Sequence, residues 1–530
     1  MANETRQIRI ESILGGHSVS SNFARSDQFQ SSLGIDPSMP PSFTSGMYFP
    51  GGILTPVSGN KVSQSTTNGI PMWLKTNPKD ANIYVYCSTG SVYTTDGLSV
   101  VTGLGDLTDG GTSTANGMAY YDNYMYFARS TTIARYGPLN GTPVFTDDYW
   151  VTTLSKTALT DTTYPLHFST VSYPNHILHR HSDGKLYIAD VVGNQGYIHY
   201  ISTTKTTVEG DTDNGSTYQK LQFGYGLWPT AIETYGSSLV IAFYEGNNSF
   251  VTERQSRAKI AFWDTTSANF NSITWVEFPD ALITAIKNVN GVLYFTSSNV
   301  TDFAGGFRVS QYVGGYSFQD IFIAPTGFSP SPGAVDGTAS RLVFGTNNQN
   351  SPASQAGVYS YGLAKTGLSG GVFNVMSCGD TSGNPVTSLV LSSSLNFVYD
   401  SPLVGLSNGF LNYPATTSFE GVASYWWSQM YKIGQKFKIT KIRFPLAQAV
   451  SAGIIITPKI YTDNGNGTTY TLTAINNTND SGLFNIVRRS GSSGEVITGN
   501  NSFWIELAWT GTTLCSVTLP ITIEYELLDD

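Results

Sequence analysis

Histidine is the chemically versatile residue with the most uneven distribution in this chain. Five of its six histidines fall in one stretch, namely His167, His176, His179, His181 and His199. His179 and His181 are two positions apart, so on a strand they share one face, and His199 lies on the following predicted strand. Imidazoles that converge on one face can bind a divalent metal. This pair precedes a predicted hairpin, however, where surface or loop positions are expected, so we predict no metal site.

Two oxygen-rich segments partly resemble calcium-binding loops: Asp211-Thr212-Asp213-Asn214-Gly215 and Asp463-Asn464-Gly465-Asn466-Gly467. Neither completes the spacing of a twelve-residue calcium loop, and neither has the distal bidentate Glu that such a loop needs. Asp-Gly and Asn-Gly are also the residue pairs that tight turns demand. Both segments are therefore predicted to be turns.

Enzyme activity has little support in the sequence. Thr94-Thr95-Asp96-Gly97-Leu98-Ser99 is a fragment of a sialidase-type Asp box, and it lacks the Gly spacing and the Trp. A sialidase-like site would also need clustered arginines, yet the Arg residues do not recur at one place in the repeats (Arg129, Arg135, Arg254, Arg257 and Arg308). There is no HExxH motif and no phosphate-binding glycine loop. We predict no catalytic residues and no cofactor.

Aromatic clusters leave sugar binding open as an alternative. Tyr120-Tyr121 and Tyr425-Trp426-Trp427 can stack on sugar rings if they are exposed, or pack inside the fold if they are not. The three cysteines, Cys87, Cys378 and Cys515, show neither a disulfide framework nor zinc spacing. Cys87 ends a predicted strand, where a small buried side chain is expected.

A short aromatic strand motif recurs seven times at intervals of roughly 40 to 60 residues. The copies are Ile83-Tyr84-Val85, Met125-Tyr126-Phe127, Leu186-Tyr187-Ile188, Leu239-Val240-Ile241, Leu293-Tyr294-Phe295, Leu342-Val343-Phe344 and Asn396-Phe397-Val398. Most copies follow a turn signal such as Asp122-Asn123 or Asn290-Gly291, and each precedes a second apolar run. A hairpin cannot bury its apolar face alone, so a repeat of this length indicates blades that stack on and cover one another. The sequence therefore predicts an all-β β-propeller with seven blades, or six if the weak last copy does not form a blade.

Composition agrees with an all-β protein. Charged residues are 12% of the chain, whereas 31 Tyr, 28 Phe and 54 Gly are present. The net charge is −9 without a basic stripe, which argues against nucleic acid as a partner. The N-terminus shows no signal peptide, and no apolar run reaches the length of a membrane span, so membrane insertion is not expected. A composition typical of extracellular adhesins without an export signal fits a virus particle assembled in the host cytoplasm.

Three regions are predicted. Residues 1–60 read as an extended arm that docks on a neighbouring subunit, with a strand in Ile8–Leu14. Residues 61–413 carry the repeats, and a strand from the 45–57 region is expected to close the last blade. Residues 414–530 read as a jelly-roll-like β-sandwich. The segment from Phe419 to Gln435 is the one candidate for a short helix or aromatic hinge.

Together these features resemble the tail-associated structural proteins of tailed bacteriophages. The resemblance is carried by the Tyr-rich hairpins, by Ile13-Leu14-Gly15-Gly16 and Leu33-Gly34-Ile35-Asp36-Pro37 in the arm, and by Ile433-Gly434-Gln435-Lys436-Phe437 before the sandwich. His179-Arg180-His181 is also similar to the iron-binding element of some phage fibres, which requires a threefold axis. The resemblance implies a non-enzymatic virion protein that forms homo-oligomers and binds other virion proteins, with a host-surface glycan as a further partner. It transfers no site residues. The alternative is a carbohydrate-binding or glycan-cleaving propeller protein.

Overall fold

The fold was analysed in a computed structural model of the chain. It describes residues 5–13, 15–17, 28–33, 35, 53–54, 56, 58–66, 68–79, 82–96, 101–107, 115, 117–129, 133–150, 177–192, 195–202, 219–245, 257–267, 273–280, 282–298, 307–323, 328–329, 331–338, 341–348, 357–362, 371–377, 386–391, 402–419, 424–447, 449–463, 467–485, 496–511 and 515–528. The chain divides into two compact units. One comprises Val62–Ala356 and Gly383–Tyr413, and the other Met1–Lys61, Gly357–Ser382 and Pro414–Asp530.

Every regular element longer than one residue in the described ranges is a β-strand. Five strands come first: β1 Thr5–Ile10, β2 Gly16–His17, β3 Gln28–Leu33, β4 Ile53–Leu54 and β5 Ser58–Ser65. No helix in these ranges has the length and apolarity needed to cross a lipid bilayer.

Seven four-stranded sheets form the blades of a β-propeller within the described residues. Blade 1 contains β6 Pro71–Thr76, β7 Ile83–Cys87, β8 Ser91–Thr95 and β9 Val101–Asp106. Blade 2 contains β10 Gly117–Tyr121, β11 Tyr124–Ala128, β12 Ile133–Gly137 and β13 Val144–Trp150. Blade 3 contains β14 Ile177–Arg180, β15 Lys185–Val192, β16 Gln195–Ser202 and β17 Gln219–Tyr225.

Blade 4 contains β18 Leu227–Tyr235, β19 Ser238–Glu245, β20 Lys259–Trp263 and β21 Thr274–Glu277. Blade 5 contains β22 Leu282–Val289, β23 Val292–Ser298, β24 Phe307–Gly314 and β25 Ser317–Ile323. Blade 6 consists of β27 Val335–Gly337, β28 Arg341–Gly345, β30 Gly357–Gly362 and β31 Gly371–Ser377, beside the short pair β26 Phe328–Ser329 and β29 Asn347–Asn348. Blade 7 consists of β32 Val386–Leu391, β33 Pro402–Leu406, β34 Phe410–Phe419 and β5.

The aromatic motif forms the second strand of blades 1 to 6, as predicted. Its residues are buried on both faces, as in Ile83–Cys87, because each blade is covered by its neighbours. The preceding turns explain the Asn and Gly signals: Asp122 and Asn123 have φ values of 45° and 65°, and Asn290 and Gly291 have 50° and 82°. Two successive positive φ values are what a tight two-residue hairpin turn requires, and Asn, Asp and Gly reach them at low cost.

The seventh blade corrects one prediction and refines another. Asn396-Phe397-Val398 lies outside the described residues, and the second strand of this blade is Pro402–Leu406. The strand that completes the blade is Ser58–Ser65, directly after the predicted 45–57 region. An early strand therefore pairs with the last repeat, which removes one free sheet edge.

The other unit contains a two-sheet sandwich, which ten C-terminal strands complete: β35 Ser424–Ser428, β36 Tyr431–Lys432, β37 Phe437–Arg443, β38 Ile454–Thr462, β39 Thr469–Thr471, β40 Leu483–Asn485, β41 Ile497–Gly499, β42 Ser502–Gly511, β43 Val517–Thr518 and β44 Ile521–Leu527. One sheet has the order β1-β44-β37-β40, with β41 also on β37. The other has the order β2-β3-β35-β42-β38-β39, with β36 also on β42, and β4 pairs separately with β43. Both sheets contribute to one apolar core that includes Trp426, Phe437, Ile460 and Ile505.

The described part of the predicted arm belongs to this sandwich. Thr5–Ile10 pairs antiparallel with Ile521–Glu526 of the same chain, and Gln28–Leu33 lies beside Ser424–Ser428. Ile10 and Ile13 are buried in the sandwich core. Of the predicted strand Ile8–Leu14, only Ile8–Ile10 is strand, as the end of β1. This strand completes the chain's own C-terminal sheet, and its buried residue Ile10 packs in the sandwich core.

The predicted helix or hinge between Phe419 and Gln435 is wrong for its described residues. Ser424–Ser428 is a strand with alternating burial, and Tyr431–Lys432 is a second short strand. Aromatic residues suit a pleated, half-buried surface, which is why Tyr425-Trp426-Trp427 adopts strand structure.

Candidate functional site

A cavity of about 210 Å³ lies among the innermost strands of the propeller. Its wall includes residues from the first strand of every blade, among them Lys75, Met118, His179, Glu233, Lys287, Val335 and Leu389. In a propeller these first strands surround the central axis. The cavity is therefore the central channel of the molecule.

Five blades carry an ionisable residue at one equivalent position of this channel. In blades 1 to 6, the innermost residues paired with the middle residue of the aromatic motif are Lys75, Ala119, His179, Glu233, Lys287 and Asp336. We refer to the ionisable members, Lys75, His179, Glu233, Lys287 and Asp336, as the charged ring. Lys75, His179, Glu233 and Lys287 line the cavity, and Asp336 lies beside Lys287.

The lysine and aspartate of blades 5 and 6 form an ion pair in the charged ring. Lys287 Nζ lies 2.7 Å from Asp336 Oδ1, and both side chains are less than a quarter exposed. Asp336 Oδ2 also accepts a hydrogen bond of 2.9 Å from the Leu391 N–H. Burial opposes the charge on both groups, but their mutual attraction prevails, so the pKa of Lys287 is raised and that of Asp336 is lowered.

His179 and Glu233 form a second pair held by Thr234. His179 Nε2 lies 2.8 Å from Thr234 Oγ1 and 3.6 Å from Glu233 Oε1. The Thr234 N–H donates to Glu233 Oε1 at 2.8 Å. Burial lowers the pKa of His179 from 6.5 to about 4, against the opposing attraction of Glu233. The imidazole is therefore neutral at physiological pH.

Lys75 differs from the other members of the charged ring. Within the described residues, its ammonium makes no hydrogen bond and no ion pair. Burial and the nearby Lys287 lower its pKa, while Asp336 and Glu233 act in the opposite direction. Lys75 thus presents donor capacity to the channel that the described side chains leave unused.

The predicted surface or loop placement of the histidines is wrong for His199, which lies on β16 and is 4% exposed. His181 does lie in a loop, between β14 and β15, but it is only 3% exposed. His181 Nδ1 lies 3.0 Å from Thr234 Oγ1 in the neighbouring blade, so packing between blades buries it. His167 and His176 lie outside the described residues. No group of three or more His, Cys, Asp or Glu residues in the described ranges is arranged to hold a metal ion.

The other polar candidates have structural contacts. Asp463 Oδ1 accepts hydrogen bonds of 2.8 Å from the N–H groups of Asn500 and Asn501, so this carboxylate holds the turn between β41 and β42. Asn464–Asn466 of the predicted turn lie outside the described residues. Asp211–Gly215 lies outside the described residues, and so does Cys378. Cys87 and Cys515 are buried free thiols, and burial raises their pKa values to about 12 and about 11.

The described arginines do not converge on the channel. Arg135 and Arg308 lie on third strands, Arg129 follows a second strand and Arg257 precedes a third strand. Arg135 stacks over the rings of Tyr124 and Tyr149, at 4.2 Å and 3.8 Å from their centroids. Arg254 and Gly97–Ser99 of the Asp-box fragment lie outside the described residues. The described part of the channel therefore lacks the arginine cluster that a sialidase-like site would need.

The two aromatic clusters predicted from the sequence lie in different environments. Tyr121 is buried in the propeller and donates to the Gly184 carbonyl at 2.8 Å, and Tyr120 packs against an apolar core. Trp426 is buried in the sandwich core, whereas Tyr425 and Trp427 lie on the opposite face of the same sheet. Only the second cluster leaves aromatic rings outside an apolar core.

Those rings belong to a larger aromatic face on the outer side of the sandwich sheet. Its members are Tyr425, Trp427, Tyr461 and Trp504, all partly exposed. Tyr461 and Trp504 are stacked, with ring centroids 5.0 Å apart and an interplanar angle of 8°. Trp427 lies 6.4 Å from Tyr461 and 5.5 Å from Tyr425.

A buried carboxylate lies at the centre of the aromatic face. Glu506 is 7% exposed, accepts a hydrogen bond of 2.9 Å from Lys459 Nζ, and accepts one of 2.6 Å from the Tyr461 hydroxyl. Aromatic rings beside hydrogen-bonding polar groups are the combination that a sugar requires, since a sugar has both apolar faces and hydroxyl edges.

The propeller offers a second exposed aromatic patch at its surface. Trp275 and Tyr316 are 42% and 79% exposed, and they line an open groove with Ile273, Thr274 and Glu277. The Lys259 ammonium lies 5.3 Å from the centre of the Trp275 ring. This groove has fewer fixed polar groups than the aromatic face.

The charged ring was not predicted from the sequence. A weak signal exists, because each member is an ionisable residue in an apolar strand, seven to nine positions before the middle of an aromatic motif. The turn between the first and second strands varies in length from blade to blade. The five residues are therefore recognised as equivalent positions only when the strand pairing is known.

No protein-family model matches the chain, and no curated protein matches it. The solved structures that are similar to it in fold include the following two. YCF48, solved bound to a D1 peptide, is 8% identical and covers 68% of this chain and 98% of its own, with a TM-score of 0.41. The β-propeller domain of Cps50 (Swd1) from Myceliophteria thermophila is 11% identical and covers 67% of this chain and 100% of its own, with a TM-score of 0.41.

Proposed function

We propose that this chain is a non-enzymatic structural protein of a virus particle, a tail component that forms homo-oligomers with other virion proteins as partners. The observation that supports this proposal is the strand order of the sandwich. If β3, β41 and the two-residue strands are set aside, the remaining eight strands are, in chain order, β1, β35, β37, β38, β39, β40, β42 and β44. If these eight strands are numbered in chain order, neighbouring strands in one sheet are the first, eighth, third and sixth. In the other sheet they are the second, seventh, fourth and fifth. We interpret this order as a jelly roll, an architecture found in viral capsid and lectin domains.

The position of the propeller within the chain adds support. The first jelly-roll strand, Thr5–Ile10, precedes all the blades, and the other seven follow them. In chain order, the propeller is thus inserted between the first and the second of these strands. We take such an insertion to suit a structural component, because a module joined to the chain on both sides stays attached when one linker is cut.

The test of the virion proposal is immuno-electron microscopy of purified particles with an antibody raised against the recombinant chain. We expect label at one end of the particle, at a stoichiometry set by its symmetry. Sedimentation of the recombinant chain tests self-association, because a homo-oligomer must exceed the chain mass of 57.3 kDa. Particles without the chain, or a monomer at high concentration, would contradict the respective part of the proposal.

Carbohydrate binding is the second candidate function, and the aromatic face favours it. We expect a glycan array to give saturable binding that Trp427→Ala reduces by roughly tenfold or more, since an aromatic contact is worth about a kcal/mol or more beyond its buried area. Trp275→Ala is the matched control, because it removes a partly exposed Trp from the propeller groove. If Trp275→Ala abolishes binding and Trp427→Ala does not, the groove is the site and the aromatic face is excluded.

A further inference from the structure

Among the described residues, the channel of the propeller contains a donor without an acceptor. Lys287 is neutralised by Asp336, His179 is uncharged at physiological pH, and Glu233 accepts from the Thr234 N–H. The Lys75 ammonium lies in the same wall and has no hydrogen bond or ion pair within the described part of the chain. An ammonium held away from bulk water is costly unless something supplies acceptors.

We propose that the channel binds a small hydroxylated monocarboxylate at Lys75, with the ligand carboxylate accepting hydrogen bonds from the ammonium. A singly charged carboxylate suits the site better than a phosphate dianion, because Glu233 and Asp336 lie close enough to repel a second negative charge. Glu233, which lines the channel, can accept hydrogen bonds from ligand hydroxyl groups.

The size of the channel limits the ligand. Its volume of about 210 Å³ is below the range of roughly 300–1,000 Å³ for drug-sized pockets. At the liquid share of about 30 Å³ per molecule, it holds roughly seven waters, or one monosaccharide-sized molecule. The wall also contains Trp73, whose indole N–H donates to the Ala115 carbonyl at 2.8 Å and is thereby fixed in orientation. A uronic acid or a smaller hydroxy acid fits this combination.

The test is isothermal titration of the full chain with D-glucuronate, D-glycerate, D-glucose and glucose 6-phosphate. We expect saturable binding of at least one of the two carboxylates, with glucose and glucose 6-phosphate weaker by about tenfold or more, the effect of a missing or mismatched charge-assisted contact. If glycerate binds and glucuronate does not, the ligand class is a free hydroxy acid. If glucuronate binds and glycerate does not, the ligand class is an acidic sugar. Binding of neither carboxylate, or equal binding of all four probes, overturns the proposal.

Variants at two lysines separate the channel from the surface. Lys75→Met keeps the length of the side chain but removes the ammonium, and we expect it to weaken carboxylate binding by about tenfold or more. Lys79→Met is the matched control, because Lys79 is exposed and follows the same strand. Unchanged binding in Lys75→Met excludes Lys75 as the anchor.

A measurement on the unaltered protein covers the case in which Lys75→Met does not fold. Acetylation of the lysines is followed by mass spectrometry with and without the bound carboxylate. We expect the ligand to slow modification of Lys75 and to leave Lys79 unaffected. Equal rates of Lys75 modification in both conditions contradict binding at this position.

Discussion

At the scale of single residues, the charged ring concentrates ionisable groups where burial makes charge costly. Lys287 and Asp336 compensate each other, and the neutral form of His179 avoids the cost. A buried ion pair is rarely a net gain over well-packed apolar residues, so stability alone gives no reason for the arrangement. Perturbed titratable groups that line a cavity are instead typical of binding sites.

The lowered pKa of His179 predicts a pH dependence of stability. Because the folded pKa of about 4 is below the unfolded value of 6.5, the unfolded chain takes up the proton first on acidification. The stability that neutral His179 contributes is complete above pH 6.5 and is lost as the pH falls towards 4. Between pH 7 and pH 4.5 we expect a loss of about 2–3 kcal/mol from this group. Urea denaturation at both pH values measures it.

His179→Gln should lack this part of the pH dependence, since glutamine does not titrate. The groups that face His179 are Glu233, Lys75, Lys287 and His181, and all remain in the variant. Arg180→Gln, which changes an exposed neighbour, should keep the dependence of the unaltered chain. Parallel pH profiles for the unaltered chain and His179→Gln would show that His179 is not the titrating group.

At the scale of elements, β1 joins the start of the chain to its end. It occupies one edge of a sandwich sheet and buries Ile10 against the core, while Arg9 points outward in the alternation of a strand. Without β1, the edge of Ile521–Leu527 would offer unpaired backbone groups to other chains. The N-terminal strand thus protects a C-terminal edge, although the whole propeller separates them in sequence.

Substitutions at two adjacent positions of β1 should differ sharply. Ile10→Asp places an unpaired carboxylate in an apolar core, and we expect a loss of at least about 3 kcal/mol in the free energy of unfolding. Arg9→Asp breaks only an exposed contact of 3.6 Å to Glu11 and should cost less than about 1 kcal/mol. Chemical denaturation measures both values, and size-exclusion chromatography reports aggregation. Similar losses for the two variants would mean that β1 is not docked as described.

At the scale of the whole molecule, two units with separate apolar cores share one chain. The sandwich core contains Trp426 and Ile10, whereas Trp263 is fully buried in the propeller, 5.8 Å from the ring of Tyr187 in the preceding blade. Each core closes around strands from distant parts of the sequence. Cooperative unfolding should therefore follow the units and not the order of the residues.

Calorimetry should show two unfolding transitions. Trp263→Ala, which costs about 3–5 kcal/mol as a large-to-small core substitution, should lower the melting temperature of one transition. Ile10→Asp should lower that of the other. One transition that shifts with both variants would contradict independent unfolding of the units.

The sequence alone determined the period, the strand type and the turn positions, because an alternating apolar pattern and positive-φ turn residues act locally. It therefore predicted the blades, from Ile83–Cys87 to Arg341–Gly345, and the buried role of Cys87. Only the tertiary structure decided which distant strands pair, as with Thr5–Ile10 on Ile521–Glu526 and Ser58–Ser65 in blade 7. It also decided which side chains converge, since Lys75 and Asp336 lie far apart along the chain and meet only when the blades close around one axis. These side chains meet only because the blades close into a ring, and no local sequence pattern encodes that closure.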